Sequence, residues 1–256
     1  MNSPEYPDGT PSWIELLTTD PDGAADFYGE LFGWEQDATD DEFGGYRTFL
    51  LDGQMIAGCM LNPEPESIPN VWFVYLKSAN AVATVEAARA AGSHVGLEPM
   101  TVGDMGSMAV VSDPGGAMVG VWESGTHHGM GVIEEPNTPG WFELHTKDYE
   151  PTVEFYRNVF GWDAHTLSDD PSFRYTTYGE GDSQRAGIMD ATAFLPDEVP
   201  SHWSVYFTVA NADSTMAKAI ELGATELLPL EDTPYGRIGS LMDPSGVQLK
   251  LRQLTS

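Results

Sequence analysis

Glu143, His145 and His202 are side chains of the types that move protons. A carboxylate and an imidazole two residues apart on a strand share a face, because successive side chains alternate between its two sides. The same alternation sets Trp141 beside Glu143 and His145, groups His202 with Ser204 and Tyr206, and groups Gln248 with Lys250 and Arg252. Arg185 and Met189 flank Gly187 on a further strand. Converging in a concave site, such faces offer acid–base groups, cations for an anionic or phenolic ligand, and rings to stack on it. The first half of the chain supplies a more apolar set: Trp13, Glu15 and Leu17; Val71, Phe73 and Tyr75; Met118, Gly120 and Trp122. Trp13 and Trp141 read as pocket walls, since indole rarely does chemistry. Glu15 and Glu143 read equally well as structural carboxylates, because buried carboxylates are normally paired. Glu143, His145 and His202 also have the donor types of a metal site.

Positioning these faces takes strands backed by helices, and the chain contains that arrangement twice. WIELLTTDPDGAADFYGELFGW, from Trp13, returns as WFELHTKDYEPTVEFYRNVFGW from Trp141. WFVYLKSANA at Trp72 returns as WSVYFTVANA at Trp203, and DPGGAMVGVW at Asp113 as DPSGVQLKLR at Asp243, at shifts of 128 to 131 residues. Such a repeat marks a tandem duplication. In the first copy an alternating strand precedes Ala24, Phe27, Tyr28 and Leu31 at helical spacing, closed by Gly33. Residues 45–51 and 54–61 around Asp52-Gly53 predict a hairpin. A strand from Val71 to Lys77, a helix from Ala79 to Ala91 closed by Gly92, and strands near 94–98, 107–112 and 117–122 follow. The expected architecture is α+β: four βαβββ modules in two domains, 1–124 and 140–256, joined by a Gly- and Pro-rich linker at 125–139. His127 and His128, in that linker, are expected to face solvent.

With 11 Lys+Arg against 40 Asp+Glu and a net charge of −29, the chain lacks the basic footprint that nucleic acids or anionic membranes require. Hydrophobic residues, at 41%, suffice for a packed core. No apolar run approaches the roughly 18 residues of a bilayer crossing. MNSPEYPDGTPSW carries no basic-then-apolar leader, so a cytoplasmic location is expected. Cys59 is the single cysteine, which excludes an intrachain disulfide and a multi-cysteine metal site. Phosphate-loop, dinucleotide, serine-hydrolase and zincin motifs do not occur.

A first strand ending in Asp, a helix with FY before FGW, a second helix ending in Gly, and DPxG ahead of the last strand together resemble the vicinal oxygen chelate superfamily. That superfamily holds glyoxalase I, extradiol dioxygenases and bleomycin-resistance proteins. The W-x-E-L start with FxGW is most similar to a two-domain, glyoxalase-like actinobacterial subgroup. The resemblance covers nearly the whole chain and implies sheets bent into cups. It also implies four metal-ligand positions per cup, filled by His, Gln or Glu in the superfamily's metal enzymes. Here they fall on Trp13, Gly58, Phe73 and Gly120, and on Trp141, Gly187, Ser204 and Lys250. These side chains cannot hold a divalent ion, so neither metal nor other cofactor is expected.

The resulting expectation is a metal-free protein that binds a small aromatic or carbonyl-bearing organic ligand. Trp13, Glu15, Phe73, Tyr75 and Trp122 would line one cup, and Trp141, Arg185, Ser204, Tyr206, Gln248, Lys250 and Arg252 the other. One alternative is a metal-independent enzyme on a small carbonyl, phenolic or polyketide-like substrate, with Glu143, His145 and His202 moving protons. A second is a metal-dependent glyoxalase or dioxygenase with its site shifted onto those three residues. Lys250 is expected opposite Glu143. Glu15, with no such cation, is expected to titrate high or to lean on Tyr75, and Gly120→Ala to matter little to ligand binding. The expected partners are small organic molecules, with no nucleic acid and no membrane. The chain would be a pseudo-twofold monomer or a homodimer.

Overall fold

The alternating segments form strands and the FY segments form helices, in an order that runs twice along the chain. The computed structural model describes residues 4–37 and 44–254. The outer bounds expected for the two domains, 1 and 256, lie outside the described residues. The first copy runs Pro11–Thr18 (β1), Pro21–Phe32 (α1), Glu35–Gln36 (β2), Arg47–Leu51 (β3), Gln54–Leu61 (β4), Val71–Lys77 (β5), Ala81–Ala90 (α2), Val95–Val102 (β6), Gly106–Ser112 (β7) and Met118–Ser124 (β8). The second runs Thr138–Thr146 (β9), Tyr149–Phe160 (α3), Ala164–Asp170 (β10), Phe173–Tyr178 (β11), Ala186–Asp190 (β12), His202–Thr208 (β13), Ala212–Glu221 (α4), Thr225–Thr233 (β14), Gly236–Met242 (β15) and Gln248–Gln253 (β16). Each copy is two βαβββ modules sharing one eight-stranded sheet, ordered β2-β3-β4-β1-β5-β8-β7-β6 and β10-β11-β12-β9-β13-β16-β15-β14. This is the duplicated α+β fold expected from the sequence.

The local reasons repeat as well. Asp20 caps α1 by accepting from the Gly23 amide at 2.9 Å, and Pro21 fits the first turn. Gly33 closes the helix at φ 75°, a left-handed conformation that glycine adopts without a Cβ clash. Helix α1 buries Ala24, Phe27, Tyr28, Leu31 and Phe32, a stripe at helical spacing. The modules join where β1 and β9 run antiparallel to β5 and β13. That register sets Trp141 opposite Tyr206, Glu143 opposite Ser204 and His145 opposite His202. Strand β12, parallel to β9, brings Gly187 level with Glu143. The intervening Phe142, Leu144, Val205, Leu249 and Leu251 are buried on the opposite face.

The two copies lock together through the residues that make the repeat visible. Tyr28 donates to Asp243 Oδ2 at 2.9 Å and accepts from the Trp72 indole at 3.0 Å. Equivalently, Tyr156 donates to Asp113 Oδ2 at 3.3 Å and accepts from Trp203 at 3.1 Å. Such reciprocity is the signature of a twofold contact, here built within one chain. Phe32, Trp34 and Trp72 close around Phe207 with ring centroids 5.3, 5.7 and 5.4 Å away, so the core is continuous between the copies. Burial pushes Asp113 up to about 7, against hydrogen bonds from Ala117 and Tyr156. No helix of the described residues is long and apolar enough to cross a membrane.

The linker departs from expectation. It folds back over the first sheet, with Met130 N donating to Ser12 O at 2.9 Å and Gly131 N to Met55 O at 2.7 Å. Met130 is buried and His128 exposed, whereas His127 is half-buried rather than solvent-facing. Its ring lies edge-on to Trp13, with centroids 4.3 Å apart, and 5.3 Å from Trp122. Burial, with a smaller effect from His128, lowers the His127 imidazole to about 4, so it enters as a neutral ring. The apolar aromatic wall of the first cup shields that ring in part from water, which a Gly- and Pro-rich composition does not announce.

Candidate functional site

At the centre of the second sheet the buried Glu143 is held by four donors. Tyr206 OH at 2.5 Å, His145 Nε2 at 2.7 Å and Lys250 Nζ at 3.4 Å reach Oε1, and Tyr175 OH at 2.7 Å reaches Oε2. Trp141 Nε1 in turn donates to Tyr175 OH at 3.0 Å, and Lys250 to Tyr206 OH at 2.8 Å. Lys250 Nζ also lies 3.1 Å from His145 Nε2. The strands dictate this gathering, since β13 faces β9 rung for rung and β16 sets Lys250 level with Tyr206.

Burial alone would raise the Glu143 carboxyl. The His145 hydrogen bond, the Lys250 charge and Tyr206 reverse that and hold it well below the usual carboxylate range. Burial pulls the Lys250 ammonium below its ordinary value, with Glu143 opposing. Burial and the Glu143 charge raise the phenols of Tyr175 and Tyr206, so both stay donors. His202 stands further out, its ring 5.2 Å from that of His145 and its Nδ1 2.9 Å from the Pro200 carbonyl oxygen.

The first cup repeats this frame without the cation. Trp13 Nε1 donates to Tyr46 OH at 3.0 Å, Tyr46 bonds Glu15, and Tyr75 OH donates to Glu15 Oε1 at 3.4 Å. Leu17 and Gly120 stand where the second copy has His145 and Lys250. Burial therefore raises Glu15 to about 7, only partly offset by Tyr46 and Tyr75. A Cβ at Gly120 would collide with the Tyr75 ring.

Over its polar floor the second cup encloses a cavity of about 340 Å³, at the small end of ligand sites. Of the residues anticipated from sequence, Trp141, Glu143, Tyr206 and Arg252 line it. His145 and Lys250 bond Glu143, Ser204 pairs with it across the strands and His202 stands beyond His145, and none of the four is part of that wall. Arg185 donates to the carbonyls of Asp182 and Gln184 at 2.9 and 2.8 Å, and the exposed Gln248 donates to Ser240 at 2.9 Å. In the first cup Trp13 and Trp122 meet His127, and Phe73 packs on Tyr75 at 5.2 Å.

Sequence reasoning missed Tyr175, Phe173, Leu167 and Tyr235 of the cavity wall. Phe173 stacks on Tyr175 at 5.4 Å and faces Tyr235 at 6.5 Å, which makes one side a flat aromatic slot. A signal for the tyrosine existed: Tyr46 and Tyr175 recur at the spacing of the repeat itself.

The superfamily's metal-ligand positions do not fit a metal in this chain. Trp141 turns its N–H to Tyr175, Lys250 brings a cation, and a side chain at Gly187 would collide with the Tyr175 hydroxyl. Tyr46 crosses Gly58 in the same way. Glycine at these places is what lets each tyrosine reach its glutamate. Among the described residues no three His, Cys, Asp or Glu side chains gather to hold an ion, so a site shifted onto Glu143, His145 and His202 lacks the geometry.

The family model described as the Glyoxalase/Bleomycin resistance protein/Dioxygenase superfamily matches residues 10–121 and 138–251. The "Putative glyoxylase CFP32" of Mycobacterium tuberculosis (strain CDC 1551 / Oshkosh) is 35% identical over 247 residues, 94% of each chain. The "Anthracycline biosynthesis protein DnrV" of Streptomyces peucetius is 32% identical over 263 residues, 96% of this chain and 94% of that one. In fold, the 2,3-dioxygenase LapB from Pseudomonas sp. KL28 aligns with a TM-score of 0.68 at 12% identity, covering 99% of this chain and 94% of LapB. The Mn(II)-bound glyoxalase from Novosphingobium aromaticivorans aligns with a TM-score of 0.63 at 17% identity, covering 99% and 83%. With one match to each copy and relatives similar along nearly their whole length, the chain belongs to the Glyoxalase/Bleomycin resistance protein/Dioxygenase superfamily, as a tandem two-domain member.

Proposed function

We propose that the second cup is a metal-free binding site for a small, planar aromatic or carbonyl-bearing organic molecule. The observation that carries this reading is the clamping of Glu143 by four donors beneath an aromatic-walled cavity. Tyr206, His145 and Lys250 crowd Oε1, and Tyr175 takes one acceptor position on Oε2. Glu143 thus serves as the frame that orients two phenols and a cation, while Trp141, Phe173 and Tyr235 offer faces and edges to a ring. Similarity to a protein named for anthracycline biosynthesis supports a fused-ring ligand, since anthracyclines are planar polycyclic compounds.

A second reading, metal-independent proton transfer on such a ligand, is favoured by one feature. His145 Nε2 lies 2.7 Å from Glu143 and 3.1 Å from Lys250, so one proton can pass among three groups, of which Glu143 touches the cavity.

Titration with 1,4-naphthoquinone and 2-naphthol, followed by tryptophan fluorescence, tests the proposal. Saturable quenching that persists in excess chelator and is lost in Trp141→Ala supports it. Absence of saturation, or a strict requirement for added Mn(II) or Fe(II), overturns it. Mass analysis of the probe recovered after incubation in D2O then separates the readings: no deuterium on carbon beyond a protein-free control supports binding, and added deuterium supports proton-transfer chemistry.

A further inference from the structure

Resting on the reading of the second cup as a ligand site, we infer that His127 in the first cup marks the ligand's pose in the second, and that this ligand is a planar ring bearing an anionic oxygen held by Arg252. Through the repeat, Trp13 and Trp122 correspond to Trp141 and Arg252. They stand on equivalent rungs: Trp122 is level with Lys77 across β5 and β8, and Arg252 with Thr208 across β13 and β16. Between Trp13 and Trp122 lies the His127 ring, at 4.3 and 5.3 Å. Both Trp141 and Arg252 line the cavity of the second cup. The first cup thus holds a flat ring from its own chain in the space that is cavity in the second. Nδ1 of that ring is buried with no hydrogen-bond partner among the described residues, so its faces and edges hold it there rather than polar recognition.

What meets the ring differs between the cups. Trp122 donates its indole N–H to the His127 carbonyl at 3.0 Å. Arg252 sets a guanidinium in that place, 5.9 Å from the Trp141 ring, with Nε donating to the Tyr235 carbonyl at 3.0 Å. Its terminal nitrogens have no acceptor among the described residues. The carboxylates acting on it are Glu134, which is exposed, and Glu143, which is already bonded to Tyr175, Tyr206, His145 and Lys250. A guanidinium on an aromatic wall is desolvated, and its fork matches a carboxylate or a paired phenolate and carbonyl. The implied ligand is therefore a fused aromatic ring with such an acidic group, its ring edge-on to Trp141 as His127 is to Trp13.

The test compares 1-hydroxy-2-naphthoate with its neutral isostere 1-hydroxy-2-naphthamide, using fluorescence titration and the tryptophan indole N–H resonances. The naphthoate should bind about ten-fold or more tightly than the amide, shifting the Trp141 resonance and leaving that of Trp13 in place. In Arg252→Met the preference should vanish, and Arg252→Lys should restore only part of it. Equal affinity for the two probes, or a preference that survives in Arg252→Met, overturns this inference while leaving the second cup a ligand site. Failure of both probes to bind sinks that underlying reading as well. In a second arm, His127→Gly opens a ring-sized space in the first cup. Added imidazole should then shift the Trp13 resonance and raise the melting temperature. A folded His127→Gly protein that ignores imidazole removes the basis for the pose.

Discussion

Glu15 and Glu143 hold the same place in the two cups and titrate in opposite directions. Each is gripped by a tyrosine pair, Tyr46 with Tyr75 and Tyr175 with Tyr206. Burial lifts Glu15 to about 7, whereas His145 and Lys250 hold Glu143 low. The duplication has thus diverged into a cup closed by the chain's own linker and a cup with a charged floor and a cavity.

Stability should accordingly carry two opposed pH dependences. Glu15 binds its proton more tightly when folded, so its contribution is complete below the ordinary carboxyl range and is lost as pH rises through about 7. Glu143, held low, contributes above the ordinary carboxyl range and loses that contribution as pH falls. Urea unfolding of Glu15→Gln should show a flatter decline between about pH 5 and about pH 8 than the parent, and no loss of stability at the upper end. An unchanged slope would contradict the assignment to Glu15.

Lys250→Met should destabilise the fold by about 3 kcal/mol, because it strands a buried carboxylate. Adding Glu143→Gln should recover much of that loss, as the first cup does without a cation at the equivalent place. A double-mutant cycle by chemical denaturation measures the coupling, and strict additivity would deny that the two act as a pair.

Gly187→His would place a metal donor where the superfamily's metal enzymes have one, yet it should build no metal site. The new side chain collides with Tyr175, so the expected outcome is a loss of about 2 kcal/mol or more. Elemental analysis after exposure to Mn(II) or Zn(II) should show less than one equivalent. Stoichiometric uptake would reopen the metal question.

Tyr28→Phe and Tyr156→Phe should each cost about 1–3 kcal/mol, having removed the hydroxyl that a buried aspartate accepts. For Tyr156→Phe the loss should grow with pH, because Asp113, already raised to about 7, then ionises without its donor. Denaturation at low and high pH reads both effects. A pH-independent loss in Tyr156→Phe would place the effect in packing alone.

Periodicity and repetition are properties of the chain taken a few residues at a time, and the sequence by itself determined what depends on them. The duplication, the strand–helix order and the face shared by Trp141, Glu143 and His145 are of this kind. Lys250 near Glu143 was legible too, because alternation places both on the same side of their sheet. Only the tertiary structure decided which tyrosine crosses which glycine, that His127 fills one cup, and that Phe173 and Tyr235 wall the other. Glu15 and Glu143 share the Trp-x-Glu-Leu context, and the one local difference on their face of the strand, Leu17 against His145, is visible in the sequence as a change of residue but not as a contact. What separates them is His145, whose ring reaches Glu143 at 2.7 Å, together with a cation on a strand 107 positions away along the chain, brought to 3.4 Å by the sheet. Solvation and charge act through space, and those distances are set only when the strands have paired.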